Sequence, residues 1–186
     1  MVNKLRATFM ITVALTFNGM PVYAYVEPVK QIRANQAVLI QNTQVLYENT
    51  VAVKSAVKKL NKYVGKTWYV FSGNTPAGWD CSGLTMWFYD QLGVQLEHRA
   101  SKQQAAGVAT KAPKVGDLVV FKYKGYKSAY HVGIYVGDGK MIHAPKHGHR
   151  TIVESIKQFA GKYSKVSYRT IIETRFTKLL TKTLHK

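Results

Sequence analysis

The spacing of apolar residues changes near Pro113, and this change limits the folds that the chain can adopt. Before Pro113, apolar residues recur every three or four positions, as they do along one face of an α-helix. After it, short apolar runs are separated by Gly and Asp, a pattern typical of antiparallel strands. Helices followed by a sheet predict an α+β fold, and 186 residues are enough to build its core.

Apolar positions and turn residues together predict the order of the elements. Within residues 25–50, apolar residues fall seven apart with Asn between them, so we interpret this stretch as a helical lead-in or a flexible spacer. The other predicted elements are a helix at 51–64, a strand at 67–73, a loop at 73–79, a helix at 81–92, a loop with a short helix at 93–107, and strands at 116–123, 131–137, 140–145, 151–155 and 165–172.

Residues 1–24 have the three-part composition of a secretory signal peptide. Lys4 and Arg6 precede a mainly apolar run over residues 7–17, and a small-residue pattern ends at Ala24. A short membrane anchor or a buried first helix would have a similar composition, but the apolar run is short for a membrane span. We therefore predict cleavage after Ala24, export of the remaining chain, and no transmembrane segment within it.

The chain is strongly basic, with 27 Lys and Arg residues, 9 Asp and Glu residues, and a formal net charge of +18. Such a surface favours a polyanionic partner such as nucleic acid, a lipid surface or an anionic cell-wall polymer. Because the chain is predicted to be exported, we expect no nucleic acid as partner. Lys122, Lys124, Lys127 and the basic segment 162–186 are candidates for binding a wall polymer, although a solvated basic surface would have the same composition.

The only cysteine, Cys81, stands where a turn-rich segment ends and a helical segment begins. With one cysteine the chain cannot form an internal disulfide, so the thiol is either a small buried apolar group or a reactive one. Asp80 is predicted to cap the helix, which places Cys81 in its first turn. There the free backbone amides and the helix dipole favour a thiolate, and the amides are donors for an oxyanion.

Two of the six histidines, His131 and His143, lie within apolar strand segments, where they are candidates for a catalytic base and its partner. The other four are expected at the solvated surface: His98, His147, His149 and His185.

The register of the hairpin between these two histidines can be predicted. A three-residue loop at 137–139 pairs Val136 with Lys140 and Ile134 with Ile142. This register puts both histidines on one face, as diagonal neighbours with Cα atoms about 7–8 Å apart. A two-residue loop would place them on opposite faces and break the apolar pairing.

A cysteine at a helix start that faces two strand histidines has the parts of a thiol hydrolase. His131 would take the thiol proton, and His143 would hold the first ring in the correct tautomer. Two alternatives remain from the residues alone. The histidines are an ordinary pair in the core, or the thiol and both imidazoles bind zinc.

Four segments, taken in order, resemble the NlpC family of secreted bacterial cell-wall cysteine peptidases: WYVFSGNTPAGWDCSGLTMWFYDQLGV, RASKQQ, GDLVVF and HVGIYVGDGKMIHAP. The resemblance covers residues 51–155. It implies a papain-like fold with N-terminal helices packed on a small antiparallel sheet, so we expect the catalytic domain to occupy residues 51–186. Ser72 stands where the family usually has the first of two glycines.

The resemblance also assigns roles to six residues within the matching motifs. The nucleophile, the base and the third member of a catalytic triad are, in that order, Cys81, His131 and His143. The residues that line the site and contact the substrate are Tyr69, Asp80 and Ser82. No metal and no other cofactor is implied.

The implied function is that of a secreted peptidoglycan hydrolase. It would be a cysteine endopeptidase that cuts stem peptides, typically between D-glutamate and the next diamino acid, through a thioester acyl-enzyme. One rival is an N-acetylmuramoyl-L-alanine amidase of the related Cys/His class. The other is a non-catalytic cationic protein that binds the wall or is antimicrobial. We expect a monomer whose partner is peptidoglycan.

Overall fold

The computed structural model of the protein describes residues 16–17, 20–21 and 23–172, with side chains from residue 29 onward. Most of the predicted signal peptide lies outside the described residues, and so does segment 173–186. Within the part of the chain that is described, no helix is both long and apolar enough to cross a membrane.

Ten strands and four helices occur in the described residues. In chain order they are β1 (Thr16–Phe17), β2 (Met20–Pro21), α1 (Tyr23–Asn61), β3 (Asn74–Thr75), β4 (Gly78–Trp79), α2 (Cys81–Asp90), α3 (Ala100–Gln103), β5 (Val108–Thr110), β6 (Leu118–Tyr123), β7 (Ala129–Gly137), β8 (Lys140–His143), β9 (Ile152–Ser155), α4 (Ile156–Ala160) and β10 (Ser164–Thr170). The chain divides into two compact units, Met1–Val45 and Leu46–Lys186.

Residues 25–50 are helical, because α1 continues through them without a break. Of the positions that recur every seven residues, Ile32 and Leu39 in the first unit and Leu46 at the start of the second are exposed. Val53 and Leu60 in the second unit are buried. The spacing therefore indicated the helix correctly, and the C-terminal part of α1 contributes its apolar face to a core.

Six antiparallel strands form the central sheet of the second unit, in the order β5-β10-β6-β7-β8-β9. Val132 of β7 shares the larger apolar cluster with Leu84 and Phe88 of α2. Phe121 of β6 belongs to a second cluster with Ile156 of α4. Because alternate residues of a strand point to opposite faces, the sheet buries apolar side chains on both sides. The α+β prediction is confirmed.

The interior of the β7–β8 hairpin has the predicted register, but its end does not. Ile134 pairs with Ile142, as the apolar pattern indicated. The predicted pair of Val136 with Lys140 is wrong, because Gly137 is the residue opposite Lys140.

The end of this hairpin is a two-residue turn combined with a β-bulge. Asp138 and Gly139 have φ values of 50° and 65°, and positive φ at both positions is what a type I′ turn requires. The register shifts between Tyr135 and Gly137, which leaves Val136 as the extra residue of the bulge. The shorter turn and the extra residue compensate for each other, so the interior pairing survives.

The very short elements differ most from the predictions. No strand forms at residues 67–73, where Trp68 and Tyr69 make isolated bridges instead. The segment predicted as a loop at 73–79 contains the small β3–β4 hairpin, and β5 and α4 were not predicted at all. Each of these unpredicted elements has five residues or fewer, and no hydrophobic period marks them in the sequence.

Candidate active site

Helix α2 begins at Cys81 because the side chain of Asp80 caps it. Asp80 has extended backbone angles, and its Oδ1 accepts a hydrogen bond of 2.8 Å from the Gly83 amide. This bond satisfies one of the amides that a helix N-terminus leaves free, so the predicted cap is confirmed. The first turn of α2 lies close to the backbone of Gly73, since a Cβ atom at Gly83 would lie 2.0 Å from the Gly73 carbonyl oxygen.

The Asp80 carboxylate accepts three further hydrogen bonds. The Ser82 hydroxyl donates to Oδ1 at 2.8 Å, and the Ser72 amide donates to Oδ2 at 3.2 Å. His98 Nε2 lies 3.0 Å from Oδ1, so the prediction that His98 is a solvated surface residue is wrong. Ser72 has a φ of 58°, in the left-handed region that favours glycine, which explains why a glycine suits this position.

A buried glutamine holds the first turn of α2 from the other side. Gln103 of α3 donates from Nε2 to the Ser82 carbonyl at 2.9 Å, and its Oε1 accepts from the Thr85 hydroxyl at 2.6 Å. Both side chains are almost fully buried. Gln103 belongs to the motif RASKQQ, and its contacts explain why a glutamine suits this position: one side chain supplies both a donor and an acceptor.

Burial controls the protonation of the Cys81 thiol. Removal from solvent raises the pKa of Cys81 to about 11, although hydrogen bonds from the backbone amides of Val132, Ser82 and Cys81 itself act to lower it. The nearby Asp80 carboxylate raises the pKa further. The expectation of a thiolate favoured by the helix start is therefore wrong for the resting protein, because desolvation outweighs the amides. Cys81 is therefore a neutral thiol at pH 7.

His131, His143 and Glu154 form a line of hydrogen-bonded side chains on three neighbouring strands. His131 Nε2 lies 2.8 Å from His143 Nδ1, and His143 Nε2 lies 3.0 Å from Glu154 Oε2. We call these three residues the histidine–glutamate chain. The hydrogen bond from the Val132 amide to the Cys81 sulfur places the thiol beside the residue that follows His131.

The bonds of the histidine–glutamate chain determine which ring nitrogens carry hydrogen. A carboxylate only accepts, so His143 donates from Nε2 and its Nδ1 has a free lone pair. That lone pair accepts from His131 Nε2, which leaves His131 Nδ1 unprotonated. A neutral imidazole with an unprotonated nitrogen is the state that a general base requires.

Both imidazoles are neutral at pH 7. Burial, with a smaller contribution from His143, holds the pKa of His131 well below its usual range, and burial lowers the pKa of His143 to about 4. Phe159 of α4 packs against both rings, with ring centroids 4.5 Å and 4.8 Å away. The aromatic contact therefore helps to exclude water from the face on which the histidines lie.

Tyr69 pairs with Trp79 in an isolated bridge, which places it two residues from Cys81 along the partner segment. Burial is the main cause that raises the pKa of its hydroxyl, and the Asp80 carboxylate also acts to raise it. Tyr69 is therefore a hydrogen-bond donor at neutral pH. In the described part of the chain, no group of three or more His, Cys, Asp or Glu side chains is arranged to hold a metal ion.

These motifs and this geometry agree with a comparison against known protein families. The model of the NlpC/P60 family matches residues 65–173, which is more than half of the chain. The chain belongs to the NlpC/P60 family.

Relatives of this NlpC/P60 chain include two enzymes named for their activity. It is 36% identical over 113 residues to the murein DD-endopeptidase MepH of Escherichia coli, a match that covers 58% of the chain and 41% of that protein. It is 42% identical over 94 residues to the gamma-DL-glutamyl hydrolase of Bacillus subtilis, with 48% and 22% covered. The chain thus spans less than half of the length of either relative.

Solved structures show the same fold. The NlpC/p60 domain of the peptidoglycan hydrolase SagA superposes with a TM-score of 0.55 at 34% identity. The superposition covers 63% of this chain and 98% of that domain. The papain-like α+β architecture expected from the resemblance is therefore that of the NlpC/P60 domain.

The NlpC/P60 domain brings the six predicted site residues into two groups. Tyr69, Asp80 and Ser82 lie around Cys81, and His131 and His143 are joined to each other. Three residues that hydrogen-bond to the predicted site residues were not predicted: His98, Gln103 and Glu154. The sequence held a signal for Glu154, because the strand pattern at 151–155 placed an acidic residue next to the hairpin, but only the pairing of β9 with β8 shows that it reaches His143. His147 and His149 are exposed, as predicted, and His185 lies outside the described residues.

Proposed function

We propose that this NlpC/P60 protein is a secreted cysteine endopeptidase that cuts the stem peptides of peptidoglycan. One observation carries the proposal. The buried thiol at the start of α2 accepts a hydrogen bond from the residue after His131, and His131 is held in a basic tautomer by His143 and Glu154. The names of the murein endopeptidase MepH and of the peptidoglycan hydrolase SagA support a peptide bond of peptidoglycan as the target. Export rests on the composition of residues 1–24.

In the proposed reaction His131 acts first as a base and then as an acid. Its Nδ1 takes the proton of Cys81 while the sulfur attacks the carbonyl carbon of the substrate amide. The backbone amides around Cys81 and the hydroxyl of Tyr69 hydrogen-bond to the oxyanion that forms. His131 then gives the proton to the departing amine, and a thioester remains. Water attacks the thioester, one of its protons passes to His131 and then to sulfur, and the acid product leaves.

The proposed bond is the one between D-glutamate and the following diamino acid. The name of the gamma-DL-glutamyl hydrolase supports a glutamyl bond, although MepH is named as a DD-endopeptidase. The Asp80 carboxylate, with a side chain 13% exposed, is the group we propose to face a free amine of the stem peptide, with Ser82 as its partner.

Purified peptidoglycan and the Cys81→Ala variant test the proposal. We expect the wild-type chain without residues 1–24 to release soluble muropeptides and the variant to release none. Mass spectrometry of the products then distinguishes the cut bond: D-glutamyl endopeptidase, DD-endopeptidase and N-acetylmuramoyl-L-alanine amidase leave different new termini. Equal release by both proteins would refute the role of Cys81. Wall binding without release by the wild type would favour the non-catalytic alternative.

A further inference from the structure

A group of exposed tyrosines lies on the second unit, away from the core clusters. Tyr126 is 71% exposed, Tyr163 is 67% exposed and Tyr123 is 50% exposed. Together with Lys124 they line a surface depression of about 410 Å³. We call these four residues the tyrosine–lysine patch. Large aromatic side chains that gather at an exposed depression mark an interaction site more often than scattered ones do.

The patch is held in shape by the backbone. The Lys124 amide donates to the Tyr163 carbonyl at 2.9 Å, which joins the end of β6 to the start of β10. The Tyr126 amide donates to the Tyr123 carbonyl at 3.1 Å and closes the intervening turn. Lys162 Nζ lies 5.1 Å from the centre of the Tyr163 ring. The backbone that carries the patch is therefore fixed before a ligand binds, which limits the entropy that the backbone would lose on binding.

Charge indicates the kind of partner. Segments 122–130 and 157–165, which build the patch and its surroundings, contain six lysines and no Asp or Glu. Lysine is depleted in protein–protein interfaces, whereas lysine beside aromatic rings suits a polyanion that also presents flat or apolar ring faces. An anionic polymer of sugar rings has both properties.

The patch continues into the strand that carries His131. A bulge in the β6–β7 pairing leaves Tyr130 without a partner residue, since Phe121 pairs with His131 and Lys122 pairs with Ala129. Bulges re-aim side chains and are common beside active sites.

The re-aimed Tyr130 ring connects the patch to the candidate active site. It stacks on Tyr123 with centroids 4.2 Å apart and an interplanar angle of 11°, and its centroid lies 6.3 Å from that of His131. Its hydroxyl is hydrogen-bonded to Ser164 Oγ at 2.7 Å. A polymer bound on the patch would therefore contact the start of the strand that carries His131.

We propose that the tyrosine–lysine patch binds the peptidoglycan strand itself. Sugar rings would pack against Tyr126 and Tyr163, and lysines would pair with the carboxylates of neighbouring stem peptides. The inference rests on the proposed function, because it takes the polymer that carries the stem peptide as the partner. It adds a second contact area, which keeps the enzyme on the wall between cuts.

Binding to insoluble peptidoglycan tests the patch without catalysis. All proteins carry Cys81→Ala, and the fraction that sediments with purified walls is measured against wall concentration. Tyr126→Ala with Tyr163→Ala should weaken binding by about tenfold. The matched control is Tyr47→Ala, which removes a tyrosine that is 65% exposed on α1 and should bind like the parent. Lys124→Gln with Lys162→Gln should weaken binding most at low salt, since salt screens exposed charges.

The outcomes separate the two proposals. If the double tyrosine variant binds walls like its parent, the patch proposal is wrong. If the double tyrosine variant loses binding to a single-stranded oligonucleotide but still binds walls, the patch binds nucleic acid. That result would also overturn the proposal. With Cys81 intact, the double variant should lose more activity on whole walls than on a short soluble stem peptide. If the wild type cuts neither substrate, the proposed function fails, while the sedimentation result still decides whether the patch binds the strand.

Discussion

The groups around Cys81 come mostly from residues close in sequence, whereas the histidine–glutamate chain is assembled from three strands. Asp80, Ser82 and Gly83 surround the start of α2 within one helical turn. His131 and Glu154 reach His143 only through the pairing of β7, β8 and β9. The first arrangement depends on local capping and the second on strand register.

The two regions also differ in how burial affects their chemistry. At Cys81, desolvation opposes ionisation and keeps the thiol protonated. At His131, desolvation keeps the imidazole unprotonated. Burial thus leaves both side chains neutral, and in the reaction proposed above the proton would move from the thiol to the imidazole as the sulfur attacks. The comparison shows that a helix start does not activate a thiol by itself when the thiol is buried.

The largest effect is expected when either region loses its central residue, Cys81 or His131. Cys81→Ala and His131→Ala should each reduce kcat by about a thousandfold or more, and the double variant should be no slower than either. Residues that act as one unit are not additive, so the second change removes nothing further. Initial rates of muropeptide release measure this. If the reductions in kcat of the two single variants multiply in the double variant, the thiol and the imidazole act separately.

Acid should destabilise the strand region through its buried imidazoles. The pKa of His143 is lowered to about 4 from an ordinary value near 6.5, so the unfolded chain binds more protons between these pH values. The contribution of His143 to the free energy of unfolding is therefore fully present above about pH 6.5. It is lost as the pH falls, and the loss reaches about 3 kcal/mol at pH 4. Urea denaturation of wild type and His143→Gln across this range measures the difference.

The control for the acid experiment is His147→Gln, which removes an exposed imidazole and should keep the wild-type dependence on pH. If the wild type and the His143→Gln variant lose the same free energy of unfolding as the pH falls, the assignment of a buried neutral ring to His143 is wrong.

Loss of the cap should weaken the Cys81 region by a smaller amount. Asp80→Ala removes the acceptor for the Gly83 amide and for the Ser82 hydroxyl, so we expect the free energy of unfolding to fall by about 2 kcal/mol. Asp80→Asn keeps an acceptor at the cap and should lose less. Chemical denaturation at pH 7 compares them, and equal losses for both variants would show that charge, rather than capping, is what matters.

The smallest effect is expected at the outer end of the histidine–glutamate chain. Glu154→Gln replaces an acceptor by a group that also donates, so His143 can adopt either tautomer and kcat should fall by about tenfold with KM unchanged. The matched control is Asp90→Asn, an exposed acid at the end of α2. Nitrogen NMR of the two imidazoles reports the tautomers, and unchanged spectra would rule out a positioning role for Glu154.

Much of the region around Cys81 could be predicted because its information is local. The Asp80 cap, the helix that follows and the unique cysteine are adjacent in sequence, and helix starts have strong residue preferences. The protonation of Cys81 could not be predicted in the same way. It depends on burial by segments far along the chain, such as the strand that contains Val132.

The strand region was predictable in its apolar pairing but not in its details. The facing isoleucines indicated the correct register. The structure differs from the prediction in two ways, a turn that is one residue shorter and a bulge at Val136 that adds one residue. Either difference alone would have moved the histidines to opposite faces. Glu154 required the β8–β9 pairing, and the contact of His98 with Asp80 required a loop to fold back onto a cap. Such contacts join residues far apart in sequence, for which a single sequence contains no spacing rule.

The sequence alone determined the α+β class, the helix that begins at Cys81 and the membership of both histidines in one hairpin, because short-range propensity and hydrophobic period encode these features. Tertiary structure alone decided that the thiol is neutral, that Glu154 completes the histidine–glutamate chain, and that Tyr130, the neighbour of His131, stacks on the exposed Tyr123. The physical reason is that desolvation and hydrogen bonding between strands depend on which distant segments become neighbours when the chain folds.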